Sequence, residues 1–131
     1  MAAEKAEQAL VDQWRDILGL HARTQCEIDR ALHQHGLCAS DFEVLDVLAV
    51  GSTADTGSCA LRVQEISERV HLSQSALSRL VARLEKDGLL ERAMCPEDRR
   101  GVRVALTTKG RDLHGEVLPV QRAVLSRMLT D

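Results

Sequence analysis

Residues 73–104 read SQSALSRLVARLEKDGLLERAMCPEDRRGVRV, and this stretch decides the fold. Its first half is a short amphipathic helix. Leu77, Leu80, Val81 and Leu84 recur at helical spacing on one side, while Gln74, Ser75, Ser78, Arg79 and Arg83 project from the other. Ser73 stands where a hydroxyl accepts from the free amides of a helix start. Asp87-Gly88 closes the helix, the glycine suiting a left-handed cap. The second half alternates as two strands, 89–94 and 102–106, joined through a tip of Asp98-Arg99-Arg100-Gly101. A helix that a major groove admits, beside a basic hairpin tip that a minor groove admits, points to a reader of duplex DNA.

The charge of the whole chain works against that reading until its distribution is considered. The formal net charge is −3, but residues 1–58 hold 4 basic and 10 acidic side chains, a net of −6. Residues 59–111 hold 11 basic and 7 acidic, a net of +4, and residues 112–131 hold 2 and 3, a net of −1. Basic charge therefore gathers around the suspected reading head, and the acidic remainder opposes indiscriminate coating of DNA. Trp14 and Phe42 are the only aromatic residues apart from histidine. Single strands and RNA are bound on aromatic platforms that this chain lacks, which favours double-stranded DNA.

At 131 residues the chain suits one domain with a real core. No apolar run approaches the roughly 18 residues that span a bilayer, and the acidic start MAAEKAEQALVDQW has no signal core. The expected setting is the cytoplasm, with no membrane partner.

Outward from the reading head, residues 4–33 form a first helix on the recurrence of Trp14, Ile17, Leu18, His21, Ile28 and Leu32. That is long for a globular helix and suggests that part of it packs outside its own domain. Gly36 interrupts it. Ser40, with Glu43 three residues on, reads as the capping box of a second helix whose apolar face carries Phe42, Leu45, Leu48 and Ala49. Residues 51–58 are a loop by composition and 59–61 a short strand. Residues 63–70 make a third helix, and His71-Leu72 turns the chain into the fourth. Thr107 caps a long last helix, which Pro119 is placed to kink.

The order helix, helix, strand, helix-turn-helix, hairpin, helix is that of a winged helix-turn-helix. The residues resemble the MarR family of bacterial transcription factors (multiple-antibiotic-resistance regulators). Four pieces carry the resemblance: LCASDFEVLDVL at 37–48, LSQSALSRLVARLEKDGLL at 72–90, PEDRRGVR at 96–103 and LTTKG at 106–110. The expected fold class is mostly α with a small β-hairpin wing, a winged helix-turn-helix flanked by dimerisation helices. Residues 1–36 form the N-terminal dimerisation helix, 37–106 the DNA-binding domain and 107–131 the C-terminal dimerisation helix. Family members usually continue into a further helix that helps two subunits grip each other. The resemblance therefore implies either a shortened chain or a dimer held by the first and last helices alone. Two further departures bear on stability. His71 stands where the family often has glycine, and Arg62 stands where a Ser or Thr cap is expected, so the third helix should be weakly capped.

The expected DNA-binding residues are Ser73, Gln74, Ser75, Ser78, Arg79, Arg83, Asp98, Arg99, Arg100 and Arg103. Gln74 suits adenine and Arg79 the bidentate pairing with guanine. Ser73, Ser75 and Ser78 suit phosphate, as do the helix's own first amides. Arg100 matches the family's minor-groove arginine, inserted where an A·T-rich groove concentrates negative potential. Asp98 orients an arginine, and Arg99 and Arg103 meet phosphate. A two-fold dimer spaces two such helices for a palindromic operator, with the first helix and Leu113, Val117, Val120, Val124, Leu125 and Met128 of the last as its adhesive. A lone domain would instead use both stripes to cover its own core.

The resemblance also implies a small-molecule effector in a cleft lined by Trp14, Leu18, His21, Phe42 and Leu45, residues that serve equally well as ordinary packing. It implies no cofactor, no catalytic residue and no obligatory metal. Cys26, Cys38, Cys59 and Cys95 leave open a thiol switch, with Cys95 near the basic wing, although free cysteines are commonly small buried hydrophobes. His33, His35, Cys38 and Asp41, with His114, leave open a zinc response, although their spacing matches no standard site. The leading expectation is a dimeric repressor relieved by a ligand or a stress signal. The alternative from another class is a winged-helix protein-interaction module that no longer touches DNA. No constellation of an enzyme is recognisable.

Overall fold

The computed structural model describes residues 1–53, 61–93 and 103–130. The helices are α1 (Ala2–Leu32), α2 (Ala39–Thr53), α3 (Val63–Val70), α4 (Gln74–Lys86) and α5 (Thr108–Leu129), with a single 3-10 turn at His33–His35. The strands are β1 (Leu61–Arg62), β2 (Leu90–Ala93) and β3 (Arg103–Leu106). They form an antiparallel sheet of order β1-β3-β2, in register Leu61↔Val104 on one side and Leu90↔Leu106 on the other. This is the winged helix-turn-helix expected from the motif order.

At the centre lies α2, whose Phe42, Val44, Leu45 and Leu48 are buried together with Ile66 of α3, Leu77, Val81 and Leu84 of α4, Leu90 and Val104 of the sheet, and Val117 of α5. A helix whose apolar residues face several directions must be surrounded, and α2 touches α1, α3, α5 and the sheet. Its start differs from the expected capping box. The helix begins at Ala39, and the reciprocating acid is Asp41, whose Oδ2 accepts from the Cys38 amide at 3.0 Å. Asp29 of α1 accepts from the Ala39 amide at 2.6 Å. A second carboxylate arriving from another helix takes the place expected for Ser40 and Glu43.

The third helix is also better held than Arg62 suggested, because Glu65 Oε1 accepts the Arg62 amide at 3.1 Å. At its other end His71 adopts φ 58° and ψ 42°, the left-handed conformation that costs an L side chain about 1–2 kcal/mol. Among the described residues it alone does so without being glycine.

The first helix divides unequally. At about 1.5 Å per residue its 31 residues extend roughly 46 Å, yet only Thr24, Ile28 and Leu32 are buried. They lie at its C-terminal end, where α1 packs on α5 and α2. Towards the N-terminus, Leu10, Trp14, Ile17 and Leu18 remain 66%, 58%, 52% and 46% exposed on one face. The last helix is different. Val117 and Val124 are buried in the chain's own core, and Leu113, Val120, Leu125 and Met128 pack partly against it. The stripe expected to bind a second subunit is thus used internally at Val117 and Val124 and half-covered elsewhere on α5, while on α1 only its N-terminal part is left bare. The helix runs through Pro119.

Candidate nucleic-acid interface

Ser73 accepts from the Ala76 amide at 3.1 Å and fixes the first turn of α4. The helix ends at Asp87, where the Leu89 amide reaches back to the Leu84 carbonyl at 2.9 Å and Gly88 takes φ 81°. Both ends are therefore determined locally, and the face between them follows from helical periodicity. Leu77, Val81 and Leu84 point into the core; Gln74, Ser75, Ser78 and Arg79 stand in solvent. Gln74, Ser78 and Arg79 make no ion pair or side-chain hydrogen bond among the described residues. The Ser73 hydroxyl retains only its proton for an outside acceptor, with Ser75 Oγ 3.4 Å away.

Two expected contacts are engaged elsewhere. Arg83 donates through Nη2 to Oδ1 of the buried Asp41, and this hydrogen bond raises the guanidinium pKa further. Arg103 lies in β3 with its side chain largely buried and Nη1 3.8 Å from Glu65 Oε1, so it braces the sheet against α3 instead of reaching outward. Neither role was legible in the sequence, because each partner is tens of residues away. Asp98, Arg99 and Arg100 lie outside the described residues, as do Cys59 and Cys95.

A third group of residues ties the reading head to α5. Thr107 Oγ1 donates to the Gly88 carbonyl at 2.6 Å and accepts from the Gly110 amide at 3.0 Å. The Thr107 amide donates to the Leu89 carbonyl at 3.0 Å, and Lys109 Nζ donates to the Asp87 carbonyl at 3.0 Å. The start of α5 is thus clamped onto the turn that ends α4. Gly110 permits it: a Cβ there would lie 2.1 Å from the Leu89 carbonyl oxygen.

The residues expected to line an effector cleft are not brought together in the single chain. Phe42 and Leu45 are sealed in the core, while Trp14, Leu18 and His21 are exposed on α1. Phe42 stacks on the His114 ring at 5.6 Å between centroids, and the Arg122 guanidinium lies 5.7 Å from its centroid. Asp46 joins the two basic groups, accepting from His114 Nε2 at 2.8 Å and from Arg122 Nη2 at 3.1 Å. Partial desolvation on the surface of α2 pushes the pKa of the exposed Glu43 carboxyl up; the charge of Asp46 adds to this and Arg122 opposes it. A shallow groove of about 610 Å³ lies elsewhere, lined by His35, Thr108, Lys109, Asp112, Leu113 and Glu116.

The donors considered for zinc do not converge either. Asp41 is occupied by Cys38 and Arg83, His114 by Asp46, and no group of three metal-ligating side chains occurs among the described residues. Burial raises the Cys38 thiol pKa, which disfavours the reactive thiolate there. No helix among the described residues is long and apolar enough to cross a membrane.

A three-helix head, an antiparallel β2–β3 strand pair and a polar helix face stiffened at both ends define the winged-helix class of regulators. The MarR-family model matches residues 35–101, and the chain belongs to that family. Among its relatives, the HTH-type transcriptional repressor MdtR of Bacillus subtilis is 29% identical over 127 residues, covering 97% of this chain and 77% of MdtR. The solved structure of Sco3205, a MarR-family regulator of Streptomyces coelicolor in complex with DNA, matches with a TM-score of 0.77 at 29% identity, covering 94% of this chain and 73% of that one. AbsC, another MarR-family regulator of Streptomyces coelicolor, matches at 0.75 and 28% identity over 88% of this chain and 75% of its own. The chain is a transcriptional regulator of this family, not an enzyme.

Proposed function

We propose that the protein is a cytoplasmic, sequence-specific repressor that binds double-stranded DNA as a homodimer at a palindromic operator and is released by a small ligand or a stress signal. The observation that carries the reading is the division of α4. Its apolar residues are buried and both ends are capped, while Gln74, Ser75, Ser78 and Arg79 stay exposed and available. Gln74 and Arg79 read base edges, and the serines and the first amides of α4 hold phosphates. Arg100, oriented by Asp98, enters the minor groove, and Arg99 meets phosphate. Arg83 and Arg103 are left out of the contact set because their guanidinium groups face Asp41 and Glu65.

The bare stripe Leu10, Trp14, Ile17 and Leu18 supplies the dimer contact. A two-fold pair then sets two recognition helices about 34 Å apart, one turn of the duplex. Residues 1–36 serve association, 37–106 reading, and 107–131 connect the two. The name of MdtR supports repression; release by an effector rests on the family resemblance.

The test is selection of genomic fragments on the purified protein, followed by affinity for the winner across a salt series. A palindromic winner with a steep salt dependence is expected. Arg79→Ala should cost about 1–3 kcal/mol and relax preference at one base pair, and Arg100→Ala should weaken binding without unfolding the protein. Failure of any fragment to enrich would overturn the DNA reading in favour of a protein-interaction module.

A further inference from the structure

The contact between Asp41 and Arg83 has no counterpart in the reading chemistry, yet it ends on the recognition helix. Asp41 is buried, and both of its oxygens are used: Oδ2 by the Cys38 amide at the start of α2, Oδ1 by Arg83 Nη2. The Ala39 amide, beside Cys38, donates to Asp29 of α1. A polar relay therefore runs from α1, the helix with the bare apolar stripe, through the start of α2 to Arg83. Arg83 lies one turn beyond Arg79 on the outer side of α4. Elsewhere α4 packs mainly on α3 and β2, so among the described residues this pair is the polar link between its outer side and α2. A buried carboxylate that spends both oxygens on fixed donors has little freedom to follow a moving partner.

We propose that Asp41 and Arg83 are positioning residues of the DNA-reading head: their ion pair sets the pose of the recognition helix relative to α1 and α2, and so governs sequence discrimination without touching DNA. The inference rests on the DNA-reading proposal above. It predicts a separation that neither a phosphate contact nor a merely stabilising ion pair produces. A phosphate contact, when lost, weakens binding on every duplex alike and lowers the salt slope by about one unit. A stabilising pair, when lost, lowers the melting temperature but leaves discrimination intact well below it. A positioning pair, when lost, lowers the ratio of specific to non-specific affinity and leaves the salt slope unchanged.

The experiment compares the full chain with D41N, R83M and the double variant D41N/R83M, which removes both charges together and so avoids an unpaired buried carboxylate. The probes are the tightest duplex recovered from a random 30-base-pair library by the wild type, and poly(dI-dC) as the non-specific duplex. The expected result is a fall in the affinity ratio of roughly tenfold, the size of losing one base pair's readout. It should be similar in D41N and in the double variant, because the two residues act as one unit, with the salt slope of the double variant unchanged. A reduced slope with the ratio retained, or a ratio that D41N leaves untouched, overturns the proposal. Amide hydrogen exchange tests the same link in the absence of DNA. Residues 79–86 should exchange faster in the double variant while α5 is unchanged, and unaltered protection of α4 refutes the link. Failure of the wild type to enrich any duplex is a separate outcome that counts against the DNA reading.

Discussion

Gly110→Ala tests the clamp between the reading head and α5. The added Cβ would sit 2.1 Å from the Leu89 carbonyl oxygen, 3.0 Å from its carbon and 3.3 Å from Leu106 Cδ2. Ordinary contact begins near 3.4 Å, so α5 and the turn after α4 must part by about 1.3 Å, the difference between 3.4 and 2.1 Å. The obstacle is backbone and cannot swing aside, which puts the overpacking cost at about 3 kcal/mol. The same separation stretches the bonds from the Thr107 amide to the Leu89 carbonyl and from Thr107 Oγ1 to the Gly88 carbonyl, at about 1 kcal/mol each. Alanine's better helix propensity returns about 1 kcal/mol.

The net loss is about 3–4 kcal/mol, or roughly 10 °C in melting temperature. Urea unfolding followed by far-ultraviolet circular dichroism, at fixed protein concentration because association shifts the midpoint, should show a lower midpoint with unchanged m. Gly115→Ala is the internal control. It lies in the same helix, and its Cβ would meet nothing within 4 Å, so it should be neutral or stabilise by up to about 1 kcal/mol. If Gly110→Ala lies within about 0.5 kcal/mol of wild type, the range of an ordinary surface change, then α5 is not held against that carbonyl and the reasoning fails.

His71→Gly should raise stability by about 0.5–1 kcal/mol, because relief of the left-handed conformation at φ 58° outweighs glycine's greater unfolded entropy; a lower urea midpoint would show the strain to be absent. Glu43→Gln should raise the melting temperature at pH 7. The folded state holds this carboxyl's pKa above its ordinary value, so it binds the proton more tightly than the unfolded chain, and stability is lost as pH rises from the unfolded pKa through the folded one. The advantage of glutamine should vanish below the ordinary carboxyl range, and an advantage that persists in acid would point to packing instead. Trp14→Ala should weaken self-association by roughly tenfold or more, as expected for an aromatic anchor in a dimer interface, while leaving helix content unchanged. Sedimentation that shows the wild type monomeric at micromolar concentration would remove the dimer proposal altogether.

What the chain determines by itself is what neighbouring residues decide among themselves. Ser73 and Asp87-Gly88 bound α4, Thr107 starts α5, and the spacing of Leu77, Val81 and Leu84 assigns the buried face of α4, because capping and periodicity act within one or two turns. The exposure of Gln74, Ser75, Ser78 and Arg79 follows from the same period. The position of His71 was legible only through the family resemblance, which often has glycine there; its left-handed backbone is seen in the structure. Tertiary structure decided the matters that turn on partners distant in sequence. Arg83 looks like Arg79 one turn earlier until Asp41, 42 residues away, engages it. Arg103 reads as an exposed wing residue until β1 and Glu65 close over it. At the start of α2 the local partner is Asp41 on the Cys38 amide instead of the Ser40–Glu43 pair, and the tertiary contribution is Asp29, which α1 brings to the Ala39 amide. The stripes on α1 and α5 look alike as patterns. Packing covers the α5 stripe wholly or in part and the C-terminal end of the α1 stripe, and leaves the N-terminal part of α1 bare, because burial is a property of what lies opposite, and no local period encodes that.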